Sequence, residues 1–78
     1  MKIQILGPGC YNCRLLTEKT EKAAQELGLE YELEKIEDFE RIMSFSVMAT
    51  PALVVDGQVK LSGFVPHASK IKELLAGG

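Results

Sequence analysis

The two cysteines of the chain stand two residues apart in the run Gly7-Pro8-Gly9-Cys10-Tyr11-Asn12-Cys13. Thiols at that spacing can cycle between dithiol and disulfide, supply half of a tetrahedral metal site, or close a small structural loop. Thiol–disulfide exchange needs a thiolate to attack, a second thiol close enough to resolve the mixed disulfide, and access for another protein's disulfide. A two-residue spacer across the start of a helix meets the distance requirement. A free thiol has a pKa of about 8.5, and placement at a helix N-terminus or within Cys-x-x-Cys lowers it to roughly 3.5–7.5, because the partial positive charge and unpaired N–H groups stabilise the anion. Cys10, before or at the helix start, is the expected nucleophile. Cys13, one turn in and facing the core, is the expected resolving thiol. A structural staple is a poor use of the pair, since so short a loop removes little chain entropy. A closed zinc site wants four ligands, and beyond the two thiols the chain has a single imidazole, His67, far along the sequence; no metal site is expected. The alternative from a binding class is a soft-metal or metalloid carrier that uses the same two thiolates.

The elements that must position these thiols can be read from the apolar pattern. Ile3, Ile5 and Leu6 suit a short central strand with Lys2 and Gln4 as its polar members. Gly7-Pro8-Gly9 breaks it. From Cys13 onward, Cys13, Leu16, Thr20, Ala23, Ala24 and Leu27 share one stripe at spacings of three and four, which predicts an amphipathic helix over 14–27 with Gly28 as its stop. Glu18 and Lys22 are placed to pair on its outer face. Residues 29–34 alternate apolar and acidic, the pattern of a strand with one covered face, and the row of Glu30, Glu32 and Glu34 suits a sheet edge. Strand, helix, strand in that length is a βαβ unit with parallel strands.

Asp38 is placed to cap a short second helix carrying Phe39, Ile42 and Met43 on one side. The run Ala52-Leu53-Val54-Val55, then Asp56-Gly57, then Gln58-Val59-Lys60-Leu61 predicts a hairpin with a type I′ turn. A terminal helix over 66–76 carries Ala68, Ile71, Leu74 and Leu75 on one stripe, with Gly77 and Gly78 fraying. The sum is an α/β fold, βαβαββα, with a four-stranded mixed sheet in the order 2-1-3-4 and three helices.

With 78 residues, 46 % hydrophobic and 26 % charged, there is room for one globular domain over 1–78. A net charge of −2 gives no basic field, so nucleic acid is not an expected partner. No signal-peptide pattern precedes the first strand and no apolar stretch reaches membrane-spanning length, so the cytoplasm is the expected compartment. In that compartment a lone cysteine pair more often does redox or metal work than structural work. Tyr11 and Asn12, between the thiols, either tune Cys10 and flank a partner or are ordinary residues near a helix start. Met43, Met48, Phe39, Phe45 and Phe64 are expected in the core or a groove wall.

Cys10-Tyr11-Asn12-Cys13 after a first strand, with Ala49-Thr50-Pro51 before a hairpin, resembles the thioredoxin and glutaredoxin superfamily, and within it the small redox-active disulfide proteins. The resemblance covers essentially the whole chain. It implies a thioredoxin-like, glutaredoxin-sized fold and a thiol–disulfide oxidoreductase with a redox-active Cys10–Cys13 disulfide and no bound cofactor. It implies that Pro51 is cis against the cysteine pair, and that Ala49, Thr50 and Pro51 line the groove for a peptide substrate. The implied partners are disulfide-containing proteins and a thioredoxin-reductase-like reductant, with the chain itself a monomer. The chain departs from thioredoxins in having no tryptophan before the motif and no buried aspartate among Ile3, Gln4 and Ile5. It departs from glutaredoxins at Ser62-Gly63-Phe64-Val65, which keeps one glycine and lacks the acid that holds glutathione, so glutathione is not expected as a partner.

Overall fold

The computed structural model describes residues 1–9 and 11–77; Cys10 and Gly78 lie outside the described residues. The chain runs β1 (Lys2–Leu6), α1 (Tyr11–Glu26), β2 (Glu32–Ile36), α2 (Phe39–Ser44), β3 (Ala52–Val55), β4 (Gln58–Ser62) and α3 (Ala68–Gly77). The strands form one mixed sheet in the order β2-β1-β3-β4, with β1 parallel to β2 and antiparallel to β3. This is the expected α/β architecture.

Alternation along β1 divides the core in two. Ile3 and Ile5 join Leu53, Val55 and Leu61 against Leu16, Ala23 and Ala24 of α1 and Ile71 and Leu75 of α3. Leu6 faces the other way, with Ile36, Ala52, Val54 and Ile42 of α2. Central strands with both faces covered read as near-continuous apolar runs, which is why β3 is buried at all four positions.

Local chemistry sets the ends of the elements. Gly28, at φ +69°, closes α1 in a Schellman arrangement, with the Leu29 amide donating to the Ala24 carbonyl at 3.0 Å and the Gly28 amide to Gln25 at 3.1 Å. Asp38 caps α2, its side chain accepting from the Arg41 amide. Asp56 and Gly57 both have positive φ, as a type I′ turn requires, and Asp56 Oδ1 also accepts from the Lys2 amide at 2.8 Å.

The second strand differs from the expected 29–34. Its register is set by β1, which pairs Lys2 with Glu32 and Leu6 with Ile36. Leu29 and Tyr31 precede the ladder and pack on the core without joining it, and Leu33 does so from within the strand. The strand is an edge, as its glutamates suggested. On α1 the buried stripe includes Thr17, while Leu27, beyond the last helical residue, is 37 % exposed. Glu18 and Lys22 form no ion pair among the described residues; instead Glu26 pairs with Lys72, tying α1 to α3. α3 starts at Ala68, which is exposed, and its last residue is Gly77; Gly78, also expected to fray, lies outside the described residues.

Candidate functional site

β1 delivers the chain to Gly7, and α1 begins at Tyr11, so the motif occupies the junction of central strand and first helix. Cys13 is in the first turn of α1 and 4 % exposed, on the buried face as its spacing indicated. Its carbonyl accepts from Thr17 Oγ1 at 2.9 Å. The first turn of α1 contains no acidic residue of its own. Cys10 is outside the described residues.

Gly7 shows how tightly the parts meet. A Cβ built on it would overlap Cys13 Sγ, lying 3.3 Å from Cys13 Cβ and 3.8 Å from Thr50 Cβ. Strand end, helix start and the loop before β3 therefore converge where Gly7 has no side chain. The Thr50–Pro51 peptide bond is cis. Pro51 is buried and Thr50 half-buried. The Pro51 carbonyl accepts from the Gly63 amide at 2.8 Å, which fastens this loop to the end of β4. Gly63, at φ +91°, packs close against Ala49, where a Cβ would come within 3.1 Å of the alanine methyl.

The remaining candidates are solvent-facing. Tyr11 is 70 % exposed, and Asn12 and Ala49 are exposed. His67 is exposed, and its carbonyl starts α3 by accepting from the Lys70 and Ile71 amides. Among the described residues no three His, Cys, Asp or Glu side chains converge to hold a metal ion. Beside the motif an apolar cleft of about 270 Å³ runs from Pro8 and Thr50 to Phe39, Met43 and Met48. These three are groove wall, not core, whereas Phe45 packs against the second core cluster and Phe64 is 55 % exposed.

Sequence reasoning missed the polar groups around Cys13. A smaller cavity of about 100 Å³ is lined by Cys13, Thr17, Arg14, Lys35 and Glu37. The signal lay in the register: Ile36 pairs with Leu6, so Glu37 leaves β2 where Gly7 leaves β1. With the strand placed three residues early, that adjacency was hidden.

A mixed sheet in this order, with two helices on one face and one on the other, and a Cys-x-x-Cys opening the first helix, defines a thioredoxin-like α/β protein. The chain matches the thioredoxin domain family over residues 1–76 and belongs to it. It is 42 % identical over 76 residues to a thioredoxin of Methanothermobacter thermautotrophicus, covering 97 % of this chain and 99 % of the relative. Similarity to a thioredoxin of Methanocaldococcus jannaschii is 36 % over 73 residues, 94 % of this chain and 84 % of the relative. Among the described residues no helix is long and apolar enough to cross a membrane.

Proposed function

We propose that the protein is a thiol–disulfide oxidoreductase acting on disulfide-containing proteins through Cys10 and Cys13. The observation that carries this reading is the convergence at Gly7 of the Cys13 sulfur, the end of the central strand and the loop of the cis Thr50–Pro51 bond. Membership of the thioredoxin domain family and two relatives named thioredoxin support it.

In this reading the Cys10 thiolate attacks a substrate disulfide, forming a mixed disulfide and releasing one substrate sulfur as a thiolate. Cys13, as a thiolate, then attacks the Cys10 sulfur. The Cys10–Cys13 disulfide forms, the bond to substrate breaks, and the second substrate sulfur leaves. Two electrons have passed from the dithiol to the substrate, and a thioredoxin-reductase-like partner returns them. Ala49, Thr50 and Pro51 form the peptide-binding edge beside the thiols, with Tyr11 and Asn12 on the other side. The redox group is the cysteine pair itself, with no bound cofactor. A monomer working in the cytoplasm completes the proposal.

The test is insulin-disulfide reduction with dithiothreitol, a thioredoxin reductase with NADPH, or glutathione as the reductant. Turnover with the first two and little with glutathione is expected. No turnover with any reductant, or equal turnover by a Cys10→Ser/Cys13→Ser variant, would overturn the assignment.

A further inference from the structure

The apolar cleft beside the motif combines two kinds of surface. Buried Ile42 and half-buried Val47 lie deepest in it, and exposed Phe39, Met43 and Met48 form its walls. Met48 is 97 % exposed, so its apolar surface is left for a partner to cover. At about 270 Å³ the cleft is just below the range of small-molecule pockets and suits one or two side chains. It also includes Ala49 and Thr50, so it is continuous with the edge assigned above to the substrate peptide.

At one end the cleft is acidic. Glu37 is the one ionisable side chain among the described residues that line it, and no ion pair among the described residues uses that carboxylate. The cations nearby are engaged elsewhere. Arg41 is held by Glu34 at 3.1 Å, and Arg14 and Lys35 line the smaller cavity and not this one. Asp38 and Glu40, on either side of Phe39 in the chain, are exposed and add to the negative field. Electrostatic complementarity selects partners mainly by penalising like charge. A second copy docked cleft to cleft would set acid against acid, whereas a segment carrying an apolar residue and a cation matches both surfaces.

We propose that this cleft selects among disulfide substrates, taking an apolar side chain beside the reacting cysteine against Phe39, Met43 and Met48, and a neighbouring lysine or arginine on Glu37. The proposal rests on the exchange reading above and names its preferred substrate class. Segments with acidic residues beside the cysteine are disfavoured by the same carboxylate.

Four synthetic peptides, each closed by one disulfide, test it. They differ only beside one cysteine, where they carry leucine or serine and lysine or glutamate, and kcat/KM is measured above the uncatalysed rate with dithiothreitol as electron donor. Wild type should favour lysine over glutamate by roughly threefold to tenfold at low ionic strength, the size of one exposed charge pair made against one opposed. It should favour leucine over serine by roughly tenfold. In about 1 M salt, where charges interact over only about 3 Å, the lysine preference should nearly vanish. Glu37→Gln should remove that preference and Glu37→Lys should invert it; because each is a ratio between two peptides, any effect of the substitution on the sulfur chemistry cancels. Met43→Ser should reduce the leucine preference and keep the lysine preference. Equal rates for all four peptides, or a lysine preference that survives Glu37→Lys, would overturn the proposal. So would a dimer in solution that Met43→Ser dissociates, since a second copy would then be the occupant. If wild type reduced none of the peptides, the exchange reading itself would fail and this proposal with it.

Discussion

Gly7 is the position at which the packing of the site can be tested most sharply. Its φ is not in the left-handed region, so alanine has no backbone objection there, and by restricting the unfolded chain it should stabilise by about 0.4–1 kcal/mol. Against this stands the overlap of the new Cβ with Cys13 Sγ. Extra carbon in a filled core costs typically about 1–3 kcal/mol, so Gly7→Ala should be a net destabilisation of the order of 1–2 kcal/mol. For a domain of this size each kcal/mol lowers Tm by about 4–8 °C. Removing the sulfur should remove the cost. In a Cys13→Ala background the nearest contacts of the new methyl are Cys13 Cβ at 3.3 Å and Thr50 Cβ at 3.8 Å, and Gly7→Ala should become nearly neutral. Urea unfolding of the four proteins of this cycle, under reducing conditions, should give a coupling of about 1–3 kcal/mol between the two positions. An equal cost in both backgrounds would refute the claim that Gly7 is held open for the Cys13 sulfur.

Thr20 is fully buried in α1, and its hydroxyl has no hydrogen-bond partner among the described residues; Thr20→Val should raise the urea midpoint, by about 1 kcal/mol of stability, because a buried orphan hydroxyl costs about 1–3 kcal/mol. Glu34 accepts from Gln4 Nε2 at 3.0 Å and Arg41 Nη1 at 3.1 Å, and the Gln4 bond, followed by that of Arg41, holds its carboxyl below the ordinary 4.5. A carboxyl depressed in the folded state stabilises above its unfolded pKa and loses that contribution as pH falls through the folded one. The stability gap between wild type and Glu34→Gln should therefore be flat near neutrality and shrink as the solution is acidified below pH 4.5, which urea titrations at several pH values would measure; a gap that grows on acidification would contradict the pairing.

What could be read from the sequence follows from how local each determinant is. The strand Ala52–Val55 and the turn after it were legible because four apolar residues and Asp56-Gly57 carry their own conformational signal. Asp38 and Gly28 likewise act on the backbone beside them. β2 was misplaced because its alternation starts at Leu29, before there is any β1 to pair with, and the register is decided by a neighbour thirty residues away. The irregularity in β4, where Leu53 faces Leu61 but Val54 faces Val59, has no counterpart in the apolar pattern of the hairpin. Within the site, Cys13 was legible from helical spacing, as was its burial. Glu37 was not, since a single acid in a short connection has no pattern, and its relation to Gly9 and Cys13 arises only when the parallel pair forms.

The central claim is a division of labour between two thiols, and a trapping experiment reads it directly. Cys13→Ser, reduced and mixed with a disulfide-containing protein, should accumulate a mixed disulfide joined through Cys10, as peptide mapping of the adduct would locate, while wild type proceeds to the Cys10–Cys13 disulfide. An adduct joined through Cys13 in the wild-type protein, or no adduct through either thiol, would contradict the account.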